Sequence, residues 1–233
     1  AERARMLSER GMSMDDLLPR YACEKCSDTG YLENGELCPC ARLKLAGRKY
    51  SSSGISENAG FDRFNENIFK DPEQLKRTRR AAEICAQYAE NLEIGGAKGL
   101  LPMGETGLGK TFLMDSIGRE AIRRGYSVKK YTAYNLIDAA LRAVRRHEAG
   151  PELTGAELLL LDDLGTEPMI PGVTIETLFA AINERQFSGK ATVIATNLTK
   201  NELFTQYGER IFSRLFASRE YAAITLRGKD LRM

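Results

Sequence analysis

Residues Gly104-Glu105-Thr106-Gly107-Leu108-Gly109-Lys110-Thr111 fit the pattern G-x-x-x-x-G-K-[ST] and decide the fold class of this chain. They follow an apolar run of strand length, Gly99–Met103, and precede a helical pattern, Thr111–Arg124. In such a loop, glycines let backbone N–H groups converge on a β-phosphate. The Lys110 ammonium reaches the β- and γ-phosphates, and the Thr111 hydroxyl ligates Mg²⁺. The sequence therefore predicts a nucleotide phosphate loop between a strand and a helix.

Four further apolar runs of strand length follow this loop and alternate with helical patterns. The runs are Ser127–Tyr131, Glu157–Leu161, Thr192–Ala195 and Ala222–Leu226. The helical patterns are Gln74–Leu92, ahead of the loop, and then Tyr134–His147, Val173–Phe187 and Lys200–Phe216. Such alternation, with nearly continuous apolar strands, predicts a parallel sheet covered by helices on both faces. We therefore expect an α/β fold with a five-stranded parallel sheet and no sizeable C-terminal lid.

Polar side chains follow two of the predicted strands. The run of four leucines that begins at Leu158 ends in Asp162 and Asp163, and the run that begins at Thr192 ends in Thr196-Asn197. Phosphoryl transfer depends mainly on positioning and charge stabilisation, so Asp162 would hold Mg²⁺ and Asp163 would polarise the attacking water. Asn197 would reach the same water. Helix caps or turns remain the alternative for these residue types.

Two arginines, Arg210 and Arg214, lie four residues apart and so share one face of a predicted helix. A solvated or salt-bridged helix face explains such a pair. An arginine finger that reaches a neighbour's γ-phosphate explains it equally well, and such a finger contributes several orders of magnitude in rate.

Four cysteines near the start of the chain have the spacing of a metal site. They are arranged as Cys23-x-x-Cys26, eleven residues and Cys38-x-Cys40, with the turn-forming Asn34-Gly35 between the pairs. Four thiolates in two pairs suit one tetrahedral structural Zn²⁺. A redox pair or four free thiols are the alternatives. The sequence predicts an N-terminal helix and a zinc-binding segment over residues 1–50, a linker over 51–60 and the α/β domain over 61–233.

The composition limits the class of protein without selecting one. The 233 residues carry 34 Lys and Arg against 32 Asp and Glu, a net charge of +2, which excludes a strongly basic polymer-coating protein. Apolar runs fall short of the roughly 18 residues that a membrane helix needs, so we expect no membrane association. The odd cysteine count and the lack of a secretory signal favour the cytoplasm.

Together the motifs resemble the bacterial replicative-helicase loaders of the DnaC/DnaI type, which are AAA+ ATPases related to the IstB transposition helpers. The resemblance rests on G-E-T-G-L-G-K-T, L-L-L-L-D-D-L-G-T-E, A-T-N-L, G-E-R-I-F-S-R-L and the closing R-G-K-D-L-R, and it extends from about residue 15 to residue 233. The stretch C-E-K-C-S-D-T-G-Y, with the later C-P-C, is similar to the zinc-binding region of Firmicute-type members. The resemblance implies an AAA+ P-loop fold and ATP, Mg²⁺ and structural Zn²⁺ as cofactors.

The resemblance also implies roles for individual residues. The implied nucleotide-binding set is Gly104, Glu105, Thr106, Gly107, Leu108, Gly109, Lys110, Thr111 and Phe112. The implied magnesium ligands are Thr111 and Asp162, and the implied zinc ligands are Cys23, Cys26, Cys38 and Cys40. The implied catalytic set is Lys110, Asp163 as the catalytic acid, Asn197 as the first sensor, Arg214 as the finger supplied in trans with Arg210 as its substitute, and Arg232 as the second sensor. In loaders the region that corresponds to Lys129, Lys130, Arg142, Arg145 and Arg146 lines a path for single-stranded DNA, although an ordinary solvated face explains these residues too.

These implications predict an ATPase that acts as an ATP- and Mg²⁺-dependent switch and loads a replicative ring helicase onto single-stranded DNA. The protein would associate with itself through Arg214. Relatives bind the helicase through a longer N-terminal region, and we expect this chain to carry only the end of it. Two alternatives remain: an IstB-like ATPase that assists a transposase, and a zinc-bearing adaptor that binds nucleotide with little hydrolysis.

Overall fold

The computed structural model of the chain describes residues 19, 21–41, 53–56, 58–92, 99–151, 153–216 and 220–232. The chain divides into two compact units, Ala1–Leu45 and Ala46–Met233. Residues 1–18, which carry most of the predicted N-terminal helix, lie outside the described residues. The predicted domain boundaries at residues 50 and 60 stay predictions. Among the helices that the structure describes, none has the length and apolar character needed to cross a bilayer.

A five-stranded sheet forms the centre of the larger unit. Its strands are β1 (Gly99–Met103), β2 (Val128–Thr132), β3 (Leu158–Leu164), β4 (Ala191–Thr196) and β5 (Tyr221–Thr225). Their spatial order is β2-β3-β4-β1-β5, and every neighbouring pair is parallel. The predicted five-stranded parallel sheet is therefore confirmed. Because all strands run the same way, the carboxyl ends of β1, β3 and β4 meet at one edge, where ligands bind in open α/β sheets.

Helices cover both faces of the sheet, as predicted. They are α1 (Pro72–Glu90), α2 (Lys110–Arg123), α3 (Ala133–Arg146), α4 (Thr174–Phe187) and α5 (Lys200–Phe216). Successive strand residues point to opposite faces, so Leu160 joins the apolar cluster that contains α1 and α2. Leu161 joins the second cluster, to which α3, α4 and α5 contribute. The near-continuous apolar strands thus supply both halves of the core.

Local sequence signals set the ends of the helices. Asp71 caps α1 by accepting a hydrogen bond from the Glu73 N–H at 2.9 Å, and Pro72 occupies the first turn. Thr132 caps α3 by accepting one from the Asn135 N–H at 3.1 Å. Helix α5 has a break at Gly208, whose φ of 72° lies in the left-handed region. The two halves of α5 therefore run in different directions.

A buried arginine links the amino-terminal ends of β3 and β4 through hydrogen bonds. Arg185 of α4 is 0% exposed. Its guanidinium donates to the hydroxyl of Thr192 at 3.0 Å. It also donates to four carbonyl oxygens at 2.6 to 3.1 Å, those of Leu153, Ala156, Glu157 and Ala191. This end of the sheet lies opposite the carboxyl-end edge described above.

Candidate nucleotide-binding site

The phosphate loop joins β1 to α2 and is shaped by close contacts with the C-terminal segment. A Cβ atom on Gly104 would lie 2.4 Å from the Leu226 carbonyl oxygen, and one on Gly107 would lie 1.9 Å from Asp230 Oδ1. Both positions also have positive φ, of 143° and 80°. Side chains are therefore excluded there by space and by backbone geometry. Helix α2 begins at Lys110, so its unpaired N–H groups lie at the loop.

Lys110 and Thr111, the first two residues of α2, point into this region. The Lys110 ammonium donates to the carbonyl oxygens of Gly104 and Glu105, both at 2.7 Å. Burial lowers its pKa, an effect that Asp163 and Asp162 oppose. The Thr111 hydroxyl donates to Asp162 Oδ1 at 3.3 Å. A hydroxyl and a carboxylate at this separation are the hard oxygen donors that Mg²⁺ prefers, so these two residues fit a magnesium site.

Asp163, next to Asp162 in β3, has a constrained backbone. Its φ is 54°, in the left-handed region that residues other than glycine seldom adopt. Burial raises the pKa of its carboxyl group, and the neighbouring charge of Asp162 raises it further. Strain and a raised pKa on one carboxyl group at a strand end are features that concentrate at functional sites.

A cavity of about 510 Å³ collects most of the predicted catalytic residues. Asp163, Asn197 and Arg232 line it together with residues 106–113 of the loop and α2. Leu231 donates its N–H to the Gly107 carbonyl at 3.0 Å, which brings the C-terminal segment onto the loop. Arg232 forms a two-point ion pair with Asp230, which holds the pKa of that carboxyl at about 2.

Three apolar side chains that were not predicted from the sequence also line this cavity, together with the predicted Phe112. Phe64 directly follows the 3-10 turn Phe61–Arg63, and Phe69 directly follows the 3-10 turn that ends at Ile68. Phe112 lies in α2. The Phe64 ring centroid is 5.7 Å from that of Phe69 and 6.5 Å from that of Phe112. The available signal was the spacing of three phenylalanines in the segment F-D-R-F-N-E-N-I-F, directly ahead of a helix.

Lys130, one of the predicted DNA-binding residues, has acidic partners within its own chain. Its ammonium lies 2.7 Å from Asp115 Oδ1 and 3.4 Å from Asp162 Oδ2, and its side chain is 12% exposed. Its charge is therefore balanced within the chain, and its role in DNA binding stays a prediction. Lys130 therefore belongs with the acidic residues behind the phosphate loop.

The loop after β3 is linked to α5 through a buried hydrogen bond. Glu167, which is 5% exposed, accepts a hydrogen bond from the Gly165 N–H at 2.9 Å. It also accepts one from the hydroxyl of Tyr207. Tyr207 immediately precedes the break at Gly208, so the half of α5 that carries both arginines begins one residue beyond this contact.

Arg210 and Arg214 are exposed and share an aromatic partner. Their guanidinium carbons lie 3.6 and 5.8 Å from the ring centroid of Phe179 in α4. The described lining of the 510 Å³ cavity includes neither arginine. The structure therefore does not bring them to the phosphate loop of their own chain. Whether Arg214 acts in trans stays a prediction.

The remaining basic residues of the DNA-binding prediction lie in β2 and α3. Lys129 places its ammonium 5.6 Å from the ring centroid of Tyr131. Arg142, Arg145 and Arg146 are exposed at the C-terminal end of α3, and Arg142 pairs with Asp138 at 2.9 Å. Cations in the last turn also interact favourably with the helix dipole. Their role in DNA binding stays a prediction.

The smaller unit gathers the four predicted thiols at one point. The Sγ atoms of Cys23, Cys26, Cys38 and Cys40 all lie within 4.8 Å of one another. The turn at Asn34-Gly35 is closed by a hydrogen bond from the Gly35 N–H to the Leu32 carbonyl, and Tyr31 pairs with Leu37 across it. Four converging thiols fit a tetrahedral zinc site. Cys85, by contrast, is 0% exposed in α1, and burial raises its pKa to about 12.

Comparison with known sequences gives consistent matches. Residues 89–215, more than half of the chain, match the protein family described as IstB-like ATP binding protein. The replicative helicase loader DnaI of Bacillus subtilis (strain 168) is 24% identical over 155 residues, which are 63% of this chain and 49% of DnaI. The insertion sequence IS5376 putative ATP-binding protein of Geobacillus stearothermophilus is 32% identical over 122 residues, or 51% of this chain and 46% of that protein. The chain thus spans about half the length of these two relatives.

Solved structures give the same picture of the fold. The crystal structure of the DnaC helicase loader has a TM-score of 0.61 at 21% identity, covering 73% of this chain and 98% of that one. The crystal structure of DnaI has a TM-score of 0.59 at 20% identity, with 79% and 100% covered. These likenesses confirm the predicted AAA+ P-loop fold.

Proposed function

Because the chain belongs to the IstB-like ATP-binding family, we propose that it is an AAA+ ATPase that loads a replicative ring helicase onto single-stranded DNA. ATP binding and hydrolysis would switch the complex between assembly and release. The observation that carries the ATPase proposal is the meeting of Lys110, Thr111, Asp162 and Asp163 at one edge of the sheet. The relative named a replicative helicase loader supports the loading role.

In the proposed reaction each residue has a positional task. The N–H groups at the start of α2 and the Lys110 ammonium bind the phosphates, while Phe64, Phe69 and Phe112 enclose the adenine. Thr111 and Asp162 would hold Mg²⁺, which neutralises charge on the phosphates when bound. Asp163 orients the attacking water and takes its proton. Asn197 lines the same cavity and fixes that water by hydrogen bonding.

The proposed partners are reached by other surfaces of the chain. Arg214, exposed on α5, would reach the γ-phosphate of a second copy, with Arg210 as the substitute. Lys129 and the exposed arginines at the end of α3 would contact the phosphates of single-stranded DNA. The four thiols of the smaller unit would hold a structural zinc ion, because their number and spacing suit a closed tetrahedral site.

A second candidate is a transposition ATPase. Two observations favour it: the matching family is described by its IstB-like members, and the IS5376 protein is the more identical of the two relatives compared above. The same ATPase residues serve both functions, so the partner separates them. In a pull-down with ATP present, the tagged protein should bind a ring helicase and should not bind a transposase. Retention of the transposase alone would replace the loading proposal with this one.

The ATPase proposal is tested by Asp163→Asn, with the exposed Glu83→Gln as control. We expect Asp163→Asn to bind a fluorescent ATP analogue with wild-type affinity and to lose turnover, because the amide cannot accept the proton. Glu83→Gln should retain both properties. Wild-type protein that binds the analogue but shows no Mg²⁺-dependent turnover, alone or with single-stranded DNA, would be a nucleotide-binding adaptor instead.

A further inference from the structure

Three ionic side chains, Asp115, Lys130 and Asp162, form a buried cluster behind the phosphate loop. Lys130 lies between the two carboxylates, at 2.7 Å from Asp115 and 3.4 Å from Asp162. The exposed fractions of the acidic side chains are 3% for Asp115 and 4% for Asp162. Charges this deeply buried are strongly unfavourable unless they are paired. Each member of the cluster therefore depends on the others.

Strand geometry explains why Lys130 reaches this cluster and Lys129 does not. Adjacent residues of β2 point to opposite faces of the sheet. Val128, two residues before Lys130, packs in the cluster that contains α2, whereas Tyr131 packs against the cluster on the other face. Lys130 therefore faces α2, where Asp115 follows the apolar residues 112–114. Opposite charges on two neighbouring elements meet at this point.

Hydrogen bonds fix the orientation of both carboxylates. Asp162 Oδ1 accepts from the Thr111 hydroxyl at 3.3 Å and from the Asp163 N–H at 3.1 Å, while Oδ2 faces the Lys130 ammonium. Asp115 Oδ2 accepts from the Ser56 N–H at 3.3 Å, and its Oδ1 accepts from Lys130. Lys130 is thus held from one side and holds Asp162 from the other.

We propose that Lys130 is a positioning residue for magnesium binding, anchored by Asp115. It holds the Asp162 carboxylate with one oxygen directed to Thr111, the pair that would ligate Mg²⁺ in the function proposed above, on which this inference rests. The described lining of the nucleotide cavity includes neither Lys130 nor Asp115. Lys130 therefore acts through Asp162 and not on the nucleotide.

The informative variant replaces both members of the anchor. Lys130→Met alone would leave Asp115 without its counter-ion, so loss of folding would obscure its effect. The double variant Asp115→Asn with Lys130→Met removes one negative and one positive charge. Asp162 loses its cation in this variant but keeps the hydrogen bonds from the Thr111 hydroxyl and the Asp163 N–H, and the thermal midpoint reports whether the variant remains folded. What the double variant removes is the contact that orients the Asp162 carboxylate. The matched control is Glu120→Gln with Arg123→Met, which removes an acid–base pair on the outer surface of the same helix, between exposed Arg123 and partly buried Glu120.

The experiment measures Mg²⁺ dependence separately from nucleotide affinity. Both double variants and the wild type are titrated with a fluorescent ATP analogue, first in EDTA and then over a range of Mg²⁺ concentrations, and their thermal midpoints are recorded. We expect the Asp115/Lys130 variant to fold and to bind the analogue in EDTA like the wild type. Its half-saturating Mg²⁺ concentration should rise about tenfold or more, as is typical when a partner that orients a metal ligand is lost. The Glu120/Arg123 variant should match the wild type throughout.

A wild-type Mg²⁺ midpoint in a folded Asp115/Lys130 variant would overturn the inference. An equal loss of affinity in EDTA and in Mg²⁺ would overturn it as well, because that pattern indicates a general structural role. The binding titration does not require turnover. A wild type that binds nucleotide with Mg²⁺ but never hydrolyses it would therefore contradict the proposed ATPase function, while the role of Lys130 is still decided by the Mg²⁺ midpoint.

Discussion

Arg185 offers a stability prediction that separates the scaffold of this protein from its chemistry. The side chain is 0% exposed and directs five hydrogen bonds to one hydroxyl and four carbonyl oxygens. We consider Arg185→Met, which keeps an unbranched apolar stem and removes all five donors. The acceptors would then lie buried at the amino-terminal ends of β3 and β4 without these partners.

The size of the effect follows from two opposing quantities. Five hydrogen bonds from a charged donor at about 1.5 kcal/mol each come to roughly 7.5 kcal/mol. Burial lowers the pKa of Arg185 to about 10. That shift corresponds to a desolvation cost of about 3 kcal/mol, which the substitution relieves. We therefore expect the free energy of unfolding to fall by about 4 kcal/mol, a large part of the total for a domain of this size.

Urea denaturation followed by circular dichroism measures this change. The control is Arg123→Met, which removes an exposed guanidinium paired with partly buried Glu120 and should cost less than about 1 kcal/mol. Below its unfolding transition, Arg185→Met should retain the nucleotide affinity of the wild type, since the phosphate loop lies at the opposite edge of the sheet. A loss under about 1.5 kcal/mol with an unchanged m-value would refute the reasoning.

Three further predictions concern the site, the assembly and the metal. Because burial and Asp162 raise the pKa of Asp163, turnover should rise with pH through that raised pKa. The stability that the protonated acid contributes should be lost over the same pH interval. The urea midpoint of Asp163→Asn should therefore exceed that of the wild type at neutral pH, since asparagine tolerates the same backbone region. A variant whose midpoint equals that of the wild type at both acidic and neutral pH would contradict this. The Arg214→Ala and Lys110→Ala variants should each be inactive alone and should regain ATP turnover when mixed. In the mixture, the Lys110→Ala copy supplies Arg214 to the intact phosphate loop of the Arg214→Ala copy. A mixture that stays inactive would exclude the trans role. Purified without chelator, the protein should contain close to one zinc per chain, and Cys26→Ser should contain less, as measured by atomic emission, whereas zinc-free wild type would exclude the metal site.

The fold was accessible from sequence because its signals are local. Within residues 61–233, each predicted strand and helix is found within a few residues of its expected place, since apolar runs such as the one at Leu158 and the glycines of the phosphate loop report directly on backbone geometry. The carboxyl ends of β1, β3 and β4 then bring Lys110, Asp162 and Asn197 to one edge, as parallel strands require.

What the sequence did not reveal depends on contacts between distant segments. The sequence alone does not distinguish Lys130 from a surface lysine, because its partner Asp115 lies fifteen residues away on another element. Phe64 and Phe69 occupy a stretch without periodicity, so their place in the nucleotide cavity follows only from the packing of two 3-10 turns on α2. The hydrogen bonds from Arg185 to β3 and β4 could not be predicted from the sequence either, because an arginine in a helical pattern is usually exposed to solvent.

The hydrogen bond between Glu167 and Tyr207 connects the loop after β3 to the break in α5. One end of the contact lies four residues after Asp163, and the other precedes the turn that aims the arginine-bearing half of α5. In an assembly of the kind proposed, that half of α5 belongs to the neighbour's reaction. A rearrangement at one nucleotide site would then alter the position of the arginines that act at the neighbouring site. Copies joined in this way would hydrolyse ATP one after another along the assembly, in an order set by the direction of the contacts between chains.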